Sequence, residues 1–155
     1  MNYESIKSVI RTCYHIIAVY SGEFKETGYS FTEIYTLAII GYYPGIIASQ
    51  IMEYIHLDRG YLSRVIKKLL QDDLIYIDDT TLNHRIKPLY LSDHGKEVFD
   101  SMEKKADESI ERHIADASPD DKAEFFRLMK LLDENFKLVY PDTLRNDNGD
   151  SRIKR

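Results

Sequence analysis

The amino-acid sequence predicts a mainly α-helical protein with a small β wing of two or three strands. Apolar residues recur at three- and four-residue spacing in several segments, which is the period of a helix with one buried face. β-Branched and aromatic residues are concentrated in Leu74–Ile77, and a second candidate strand spans Lys87–Leu91. The polar residues 78–84 lie between them, so the two strands are expected to form a hairpin with a protruding loop.

The composition predicts one domain, or one core with an extension, in a soluble protein. The chain has 155 residues, of which 43% are hydrophobic and 30% are charged. No apolar run approaches the roughly 18 residues of a membrane helix, and the N-terminus lacks the apolar segment of a secretory signal. The single cysteine excludes an internal disulfide and fits a reducing compartment. We therefore expect a cytoplasmic protein without membrane contact.

The net charge of −5 argues against a chain that coats nucleic acid without specificity. It is compatible with one basic surface, because contact with phosphate depends on the local field. Acidic residues dominate the segment 103–134, whereas basic residues are concentrated earlier, at Arg59, Arg64, Lys67, Lys68, Arg85 and Lys87.

Local signals predict three helices in the first part of the chain. Residues 3–21 keep a helical period. Ser30 and Glu33 have the spacing of a capping box, and the helix they open ends at Pro44-Gly45. A short helix follows over about residues 47–54. It lacks a good N-cap, because Ile47 occupies a position where Ser or Thr is usual.

The next helix combines an apolar face with a basic one. Asp58 can cap it, and Leu62, Val65, Ile66, Leu69 and Leu70 form its apolar face. The opposite face has no carboxylate before Asp72 and carries Arg59, Tyr61, Ser63, Arg64, Lys67 and Lys68. Arginine reads guanine edges, hydroxyls reach bases or phosphates, and lysine pairs with phosphate, so this face suits a DNA major groove. An ordinary solvated amphipathic helix is the alternative.

Two long helices are predicted after the hairpin. Ser92 is expected to cap a helix over residues 93–116. Ser118-Pro119 starts the last one, which is expected to run to about Tyr140 with Phe125, Leu128 and Met129 facing inward. The order of two short helices, strand, loop and strand over residues 46–92 is that of a winged helix-turn-helix, a module that reads DNA. In it, Ser49 and Gln50 would face the DNA backbone.

Over about residues 5–140 the sequence resembles the MarR family of transcription regulators. The stretches that carry the resemblance are Pro44-Gly45, residues 57–64, Asn83-His84-Arg85, residues 89–92 and Gly95. The first two stretches are most similar to regulators that are sometimes fused to an acetyltransferase domain, which this chain is expected to lack, and the others match the wing of the family and the Gly that follows it. The sequence departs from the family pattern at Asn83 (usually Asp), Ile47 (usually Thr or Ser) and Pro88.

The resemblance implies a homodimer built from a single unit, residues 1–140. Residues 1–29 and 93–140 would form the dimerisation helices, residues 30–92 the winged-helix part, and residues 141–155 a disordered tail. Two recognition helices would enter successive major grooves of an inverted-repeat operator, ~34 Å apart, and the protein would repress by occluding the promoter. Arg85 would enter the flanking minor groove. The predicted DNA contacts are Ser49, Gln50, Arg59, Gly60, Tyr61, Ser63, Arg64, Lys67, Lys68, His84, Arg85 and Lys87.

The resemblance also implies a small-molecule effector between the dimer helices and the reading part. Tyr14, Tyr35 and Tyr42 are candidate lining residues, since phenolic rings suit a small aromatic or amphipathic ligand. The alternative is that these tyrosines belong to the core and the subunit interface. No cofactor is expected, and the five histidines show no metal-site spacing.

Cys13 lies near the position where the peroxide-sensing branch of the family keeps a reactive cysteine. The alternative is a small buried apolar residue. An enzyme is not expected, because the sequence has no glycine-rich phosphate loop and no nucleophile elbow. Besides a ligand-responsive regulator, two hypotheses stay open: a winged-helix protein-interaction module that has lost DNA binding, and a thiol-based redox-sensing regulator.

Overall fold

The computed structural model describes residues 27–80 and 87–137, together with Lys7, Arg11, Tyr14, Ile17, Gly22 and Phe24. Between residues 30 and 137 it contains five helices and a two-stranded antiparallel sheet, which confirms the predicted fold class. The elements are α1 Phe31–Tyr42, α2 Ala48–Ile55, α3 Arg59–Gln71, β1 Ile75–Ile77, β2 Leu89–Leu91, α4 Asp93–His113 and α5 Pro119–Lys137. Described positions within the predicted first helix are helical, namely Lys7, Arg11, Tyr14 and Ile17.

Side-chain caps determine where α1 and α3 begin. The Glu33 amide donates to the Ser30 hydroxyl at 3.3 Å, and the Ser30 amide donates to the Glu33 carboxylate at 2.6 Å, so the predicted capping box is present. The Asp58 carboxylate accepts from the amides of Gly60 and Tyr61 at 2.9 and 3.0 Å. Both caps satisfy amides that the first helical turn leaves without a partner.

The helix α2 begins without a side-chain cap at Ile47, as the sequence predicts. Gln50 compensates, because its side-chain oxygen accepts from the Ile47 amide at 3.0 Å. The turn to α3 passes through His56, whose φ of 52° is left-handed. This arrangement ends α2 and lets Asp58 cap the next helix two residues later.

The sheet at the base of the wing pairs Ile75 with Leu91 and Ile77 with Leu89. The second strand is shorter than predicted, because it starts at Leu89, immediately after Pro88. At Leu89 it is also paired on its other side. The Leu89 amide donates to the Ile46 carbonyl, and the Gly45 amide donates to the Leu89 carbonyl, both at 2.9 Å. The strand therefore has a neighbour on both sides at Leu89, the residue that follows Pro88.

One hydrophobic core joins α1–α4 and the sheet. Its fully or almost fully buried members come from each of these elements: Leu37, Ile40, Ile51, Leu62, Leu69, Ile75, Leu89 and Met102. Phe24, in the segment before α1, is also 1% exposed and belongs to this core. The helix α3 thus packs on this core with its apolar face inward.

The last two helices differ from the prediction in extent and packing. The helix α4 ends at His113 rather than at residue 116, and a turn follows it. In α5 the side chains of Phe125, Leu128 and Met129 are 40–48% exposed in the single chain, instead of facing inward. Among the described residues, the core is formed by α1–α4, the sheet and Phe24, and it includes no side chain of α5. No helix in the described part is long and apolar enough to span a membrane.

Candidate nucleic-acid interface

The outer face of α3 presents the side chains that the sequence predicts to read DNA. Arg59, Gly60, Tyr61, Ser63, Arg64 and Lys67 are all exposed. On the opposite side, Leu62, Val65 and Leu69 are at most 3% exposed. The alternation follows the helical period and leaves the polar face free for a partner.

The charges on this face are available to an anionic ligand. Among the residues described, Arg59, Arg64 and Lys67 form no ion pair with a carboxylate. The Arg64 guanidinium lies 5.7 Å from the centre of the Tyr61 ring, a distance at which the cation is attracted to the aromatic face. Tyr61 therefore supports the arginine beside it without neutralising its charge.

Lys68 differs from the other cations of the helix. Its ammonium lies 3.2 Å from the Glu33 carboxylate and 4.6 Å from the centre of the Tyr29 ring. Burial, followed by a hydrogen bond to the Asp72 carboxylate, raises the pKa of the Tyr29 phenol. We call Tyr29, Glu33, Lys68 and Asp72 the polar cluster. Sequence analysis did not predict this cluster, because Glu33 and Lys68 are 35 residues apart.

The pKa of Glu33 is lowered by its place in this cluster. Burial raises it, but hydrogen bonds from the Ser30 amide, the Ser30 hydroxyl and Lys68 outweigh that effect, together with the charge of Lys68. The carboxylate is therefore held in its ionised form by a helix cap and a cation at once.

The contacts predicted outside α3 are less completely described. Ser49 is exposed at the start of α2, and Lys87 is exposed before β2. The side-chain oxygen of Gln50 is held by the Ile47 amide. His84 and Arg85 lie outside the described residues, as does Cys13. At the start of the wing loop, the Asp78 carboxylate accepts from the Thr80 hydroxyl and amide at 2.6 and 2.9 Å, which lowers the pKa of Asp78.

The tyrosines predicted to bind an effector have separate surroundings. Tyr14 is 71% exposed. Tyr35 stacks on Phe31 with 5.6 Å between ring centres, whereas the Tyr42 hydroxyl lies 2.5 Å from the Glu103 carboxylate. Tyr42 and Tyr35 are two turns apart on α1.

Two cavities among the described residues are lined by none of the three predicted tyrosines. The larger, about 310 Å³, lies where the sheet meets α1 and α4 and is lined by Ile40, Gly41, Pro44, Tyr76, Tyr90, Leu91, Lys96, Phe99 and Asp100. Its Tyr76 and Tyr90 rings face each other across the strand pair, 5.5 Å apart. Sequence analysis missed them as lining residues, although two tyrosines in facing strands are a usable signal. The described side chains include no group of three that could hold a metal ion.

Comparison with known proteins connects this geometry to a family. Residues 30–86 match the model of the MarR family. YybA from Bacillus subtilis (strain 168), described as an uncharacterized HTH-type transcriptional regulator, is 27% identical over 115 residues, 74% of this chain and 77% of YybA. The HTH-type transcriptional regulator BilQ from Clostridium symbiosum (strain WAL-14163) is 26% identical over 110 residues, 71% of this chain and 76% of BilQ.

Solved structures share the fold over most of the chain. The transcriptional regulator SlyA has a TM-score of 0.63 and 25% identity, covering 86% of this chain and 97% of SlyA. Streptococcus pneumoniae FabT in complex with DNA has a TM-score of 0.73 and 15% identity, covering 89% and 99%. Staphylococcus aureus MarR in complex with salicylate and kanamycin has a TM-score of 0.73 and 17% identity, covering 86% and 91%. The chain is therefore similar to the MarR family over residues 30–86, and it shares the fold of these solved regulators.

Proposed function

We propose that this chain, a MarR-type winged-helix protein, is a sequence-specific DNA-binding transcription regulator that acts as a homodimer on an inverted-repeat operator. The observation that carries the proposal is the outer face of α3. There, three cations without carboxylate partners in the described structure and two hydroxyls are exposed on a capped helix that a packed core supports. A face of this kind offers base-reading and phosphate-binding groups on a rigid element.

In this proposal, different side chains of α3 contact the bases and the phosphates. Arg59 and Arg64 reach base edges, with Arg64 supported by Tyr61. Lys67 pairs with phosphate, and Ser63 contacts bases or phosphates. Gly60, Ser49, Gln50 and Lys87 lie against the sugar-phosphate backbone, and His84 and Arg85 contact DNA from the wing. FabT, which shares the fold, was solved in complex with DNA.

The dimer is supported by apolar side chains that the single chain leaves exposed. On α4 and α5 these are Ile110, Phe125, Phe126, Leu128, Met129 and Leu131, each 40–53% exposed. So many large apolar groups on two helices mark an interaction surface. A second copy that covers them would carry a second α3, and two-fold symmetry would place the two reading helices over half-sites about one DNA turn apart.

A small aromatic or amphipathic effector completes the proposed function of a ligand-responsive repressor. The cavity at the base of the wing offers aromatic walls and a few polar groups, which is the usual character of a small-molecule site. Staphylococcus aureus MarR, with the same fold, was solved with salicylate and kanamycin. Tyr14, Tyr35 and Tyr42 remain candidates for a site that is completed in the dimer.

Selection of bound DNA from a random pool tests the proposal, with the protein's own upstream region as a second target. The selected sequences are expected to contain an inverted repeat. Arg64→Ala is expected to weaken binding to that repeat by about 1–3 kcal/mol and to relax base preference. Lys104→Ala, which removes an exposed cation from α4, is the matched control and is expected to bind like the parent. Unchanged affinity and preference in Arg64→Ala would show that α3 is not the reading helix.

The net charge of −5 favours one further candidate, a protein-interaction module without DNA binding. A complete lack of DNA binding at low salt would support it over the regulator. A thiol-based redox-sensing regulator is a variant of the first proposal and depends on Cys13. It requires that Cys13→Ser abolish release from DNA by oxidant, and unchanged release would rule it out.

A further inference from the structure

Lys68 is directed toward the body of the protein rather than toward the open face of α3. Its ammonium meets the Glu33 carboxylate at 3.2 Å, and its side chain is 39% exposed, whereas the Glu33 side chain is only 15% exposed. The Tyr29 ring lies 4.6 Å from the same ammonium. Lys68 therefore has an acidic partner within its own chain, unlike Arg59, Arg64 and Lys67 in the described structure.

The partners of Lys68 are themselves held in place. The Glu33 oxygen that meets Lys68 also accepts from the Ser30 amide at 2.6 Å, so it belongs to the capping box of α1. Tyr29 directly precedes that cap, and its amide donates to the Thr27 hydroxyl at 3.3 Å. The Thr27 hydroxyl in turn donates to the Phe24 carbonyl at 2.6 Å, and Phe24 is buried in the core.

The polar cluster connects three parts of the fold. Lys68 is in the last turn of α3, and Asp72 is its C-terminal cap residue. Glu33 is in the first turn of α1. Beneath the cluster, Tyr29 and Glu33 help to line a cavity of only about 10 Å³ together with Leu69 of α3 and Met102 of α4. Because this junction contains little empty volume, the cluster can fix the C-terminal end of α3 relative to α1.

We propose that Lys68 is a positioning residue of the recognition helix rather than a phosphate contact. With Glu33 and Tyr29, it anchors the end of α3 and thereby sets the angle at which Arg59–Lys67 meets the DNA groove. The inference rests on the proposed DNA-binding function and replaces the phosphate role that the sequence predicts for Lys68. It also assigns Glu33, on another helix, to the selectivity of binding.

The salt dependence of DNA binding separates the two roles. A lysine that neutralises a phosphate contributes about 0.9 to the slope of log affinity against log salt concentration, for any DNA sequence. For Lys68→Met we expect an unchanged slope and unchanged affinity for random DNA, while affinity for the selected operator falls roughly threefold to tenfold. Lys67→Met is the matched comparison, because Lys67 is the exposed cation next to Lys68. Its removal should reduce the magnitude of the slope by about 0.9 on both the operator and random DNA.

Glu33→Gln tests the partner while keeping a side-chain oxygen for the Ser30 amide. If Lys68 is a positioning residue, Glu33→Gln should lose as much selectivity as Lys68→Met, and the double variant should lose no more. Lys68→Arg, which keeps the charge, should recover the selectivity. If Glu33→Gln instead raises affinity and steepens the slope, Glu33 merely competes with phosphate for Lys68 and the proposal fails. Parent-like selectivity in Lys68→Met, or a slope lowered as in Lys67→Met, would also overturn it.

Urea unfolding of the parent, Lys68→Met, Glu33→Gln and the double variant keeps the test independent of DNA binding. The Glu33 and Lys68 substitutions are expected to be non-additive in the free energy of unfolding, because each removes the same contact. If the parent binds no DNA, the proposed function fails, but non-additivity would still support the anchor on α3. Additive effects would overturn the anchor whatever the DNA result.

Discussion

At the scale of single residues, the position of α4 depends on Gly95 having no side chain. A Cβ atom at this position would lie 1.8 Å from the Leu74 carbonyl oxygen, which is a backbone atom that cannot swing away. The same carbonyl accepts from the Ser92 amide at 3.0 Å, and the Ser92 hydroxyl accepts from the Gly95 amide at 2.9 Å. The first turn of α4 is therefore pressed directly against the end of α3 and the start of the sheet.

Gly95→Ala is expected to destabilise the protein, by roughly 1–3 kcal/mol from the forced displacement. The sign of this change distinguishes the crowded position from an ordinary one. At a helix position where the added methyl group meets no other atom, glycine to alanine stabilises by about 1 kcal/mol. Gly22→Ala is the matched control, because Gly22 is helical and has no atom within 4 Å of an added Cβ. Thermal or urea unfolding measures both variants. A Gly95→Ala protein as stable as the parent would contradict the close packing of α4 on Leu74.

At the scale of elements, the reading helix depends on its cap. Asp58→Ala removes the only side chain that accepts from the Gly60 and Tyr61 amides in the described structure. It is expected to lower the free energy of unfolding by about 1 kcal/mol. Asp58→Asn should retain most of that stability, because asparagine caps helices about as well as aspartate. An Asp58→Ala protein as stable as the parent in urea unfolding would show that the cap is not needed.

The cap of α1 makes stability depend on pH through Glu33. Its pKa lies below the ordinary value of 4.5 in the folded chain. The stabilisation is therefore complete well above pH 4.5 and is lost as the pH falls through the lowered folded value. Between about pH 6 and about pH 3, a range that brackets the pKa of an ordinary carboxyl group, the parent is expected to lose more stability than Glu33→Gln. Urea unfolding at the two pH values measures this loss. Parallel losses in the two proteins would contradict the contribution of Glu33.

A feature could be predicted from the sequence when the residues that form it are close together in the chain. The caps at Ser30, Asp58 and Ser92 were predicted correctly, because each lies within three residues of the amide that it binds. The pairing of Ile46 with Leu89 and the contact of Lys68 with Glu33 were not predicted, because they join distant parts of the chain. The exposed side of α3 could be predicted from its period, whereas the orientation of Lys68 on it could not.

At the scale of the whole molecule, the surface is divided between two kinds of contact. The outer face of α3 is basic in a chain of net charge −5, so in the proposed function the local charge would direct DNA to this face. The apolar side chains on α4 and α5 form a different surface, suited to a second copy. The apolar side chains lie on α4 and α5, whereas the proposed DNA contacts lie on α3. In the proposed dimer, two copies can therefore pair while both outer faces of α3 stay open to DNA.

Leu128→Glu tests this division. In a two-fold dimer each substitution occurs twice, and burying a leucine side chain contributes about 1.5–3 kcal/mol. Losing two such contacts should raise the dimer dissociation constant by about 10²- to 10⁴-fold, as measured by sedimentation. Operator binding should weaken in parallel, since a single α3 reads only one half-site. Lys130→Glu, an exposed charge change on the same helix, is the control, and dimerisation unaffected by Leu128→Glu would place the subunit contact elsewhere.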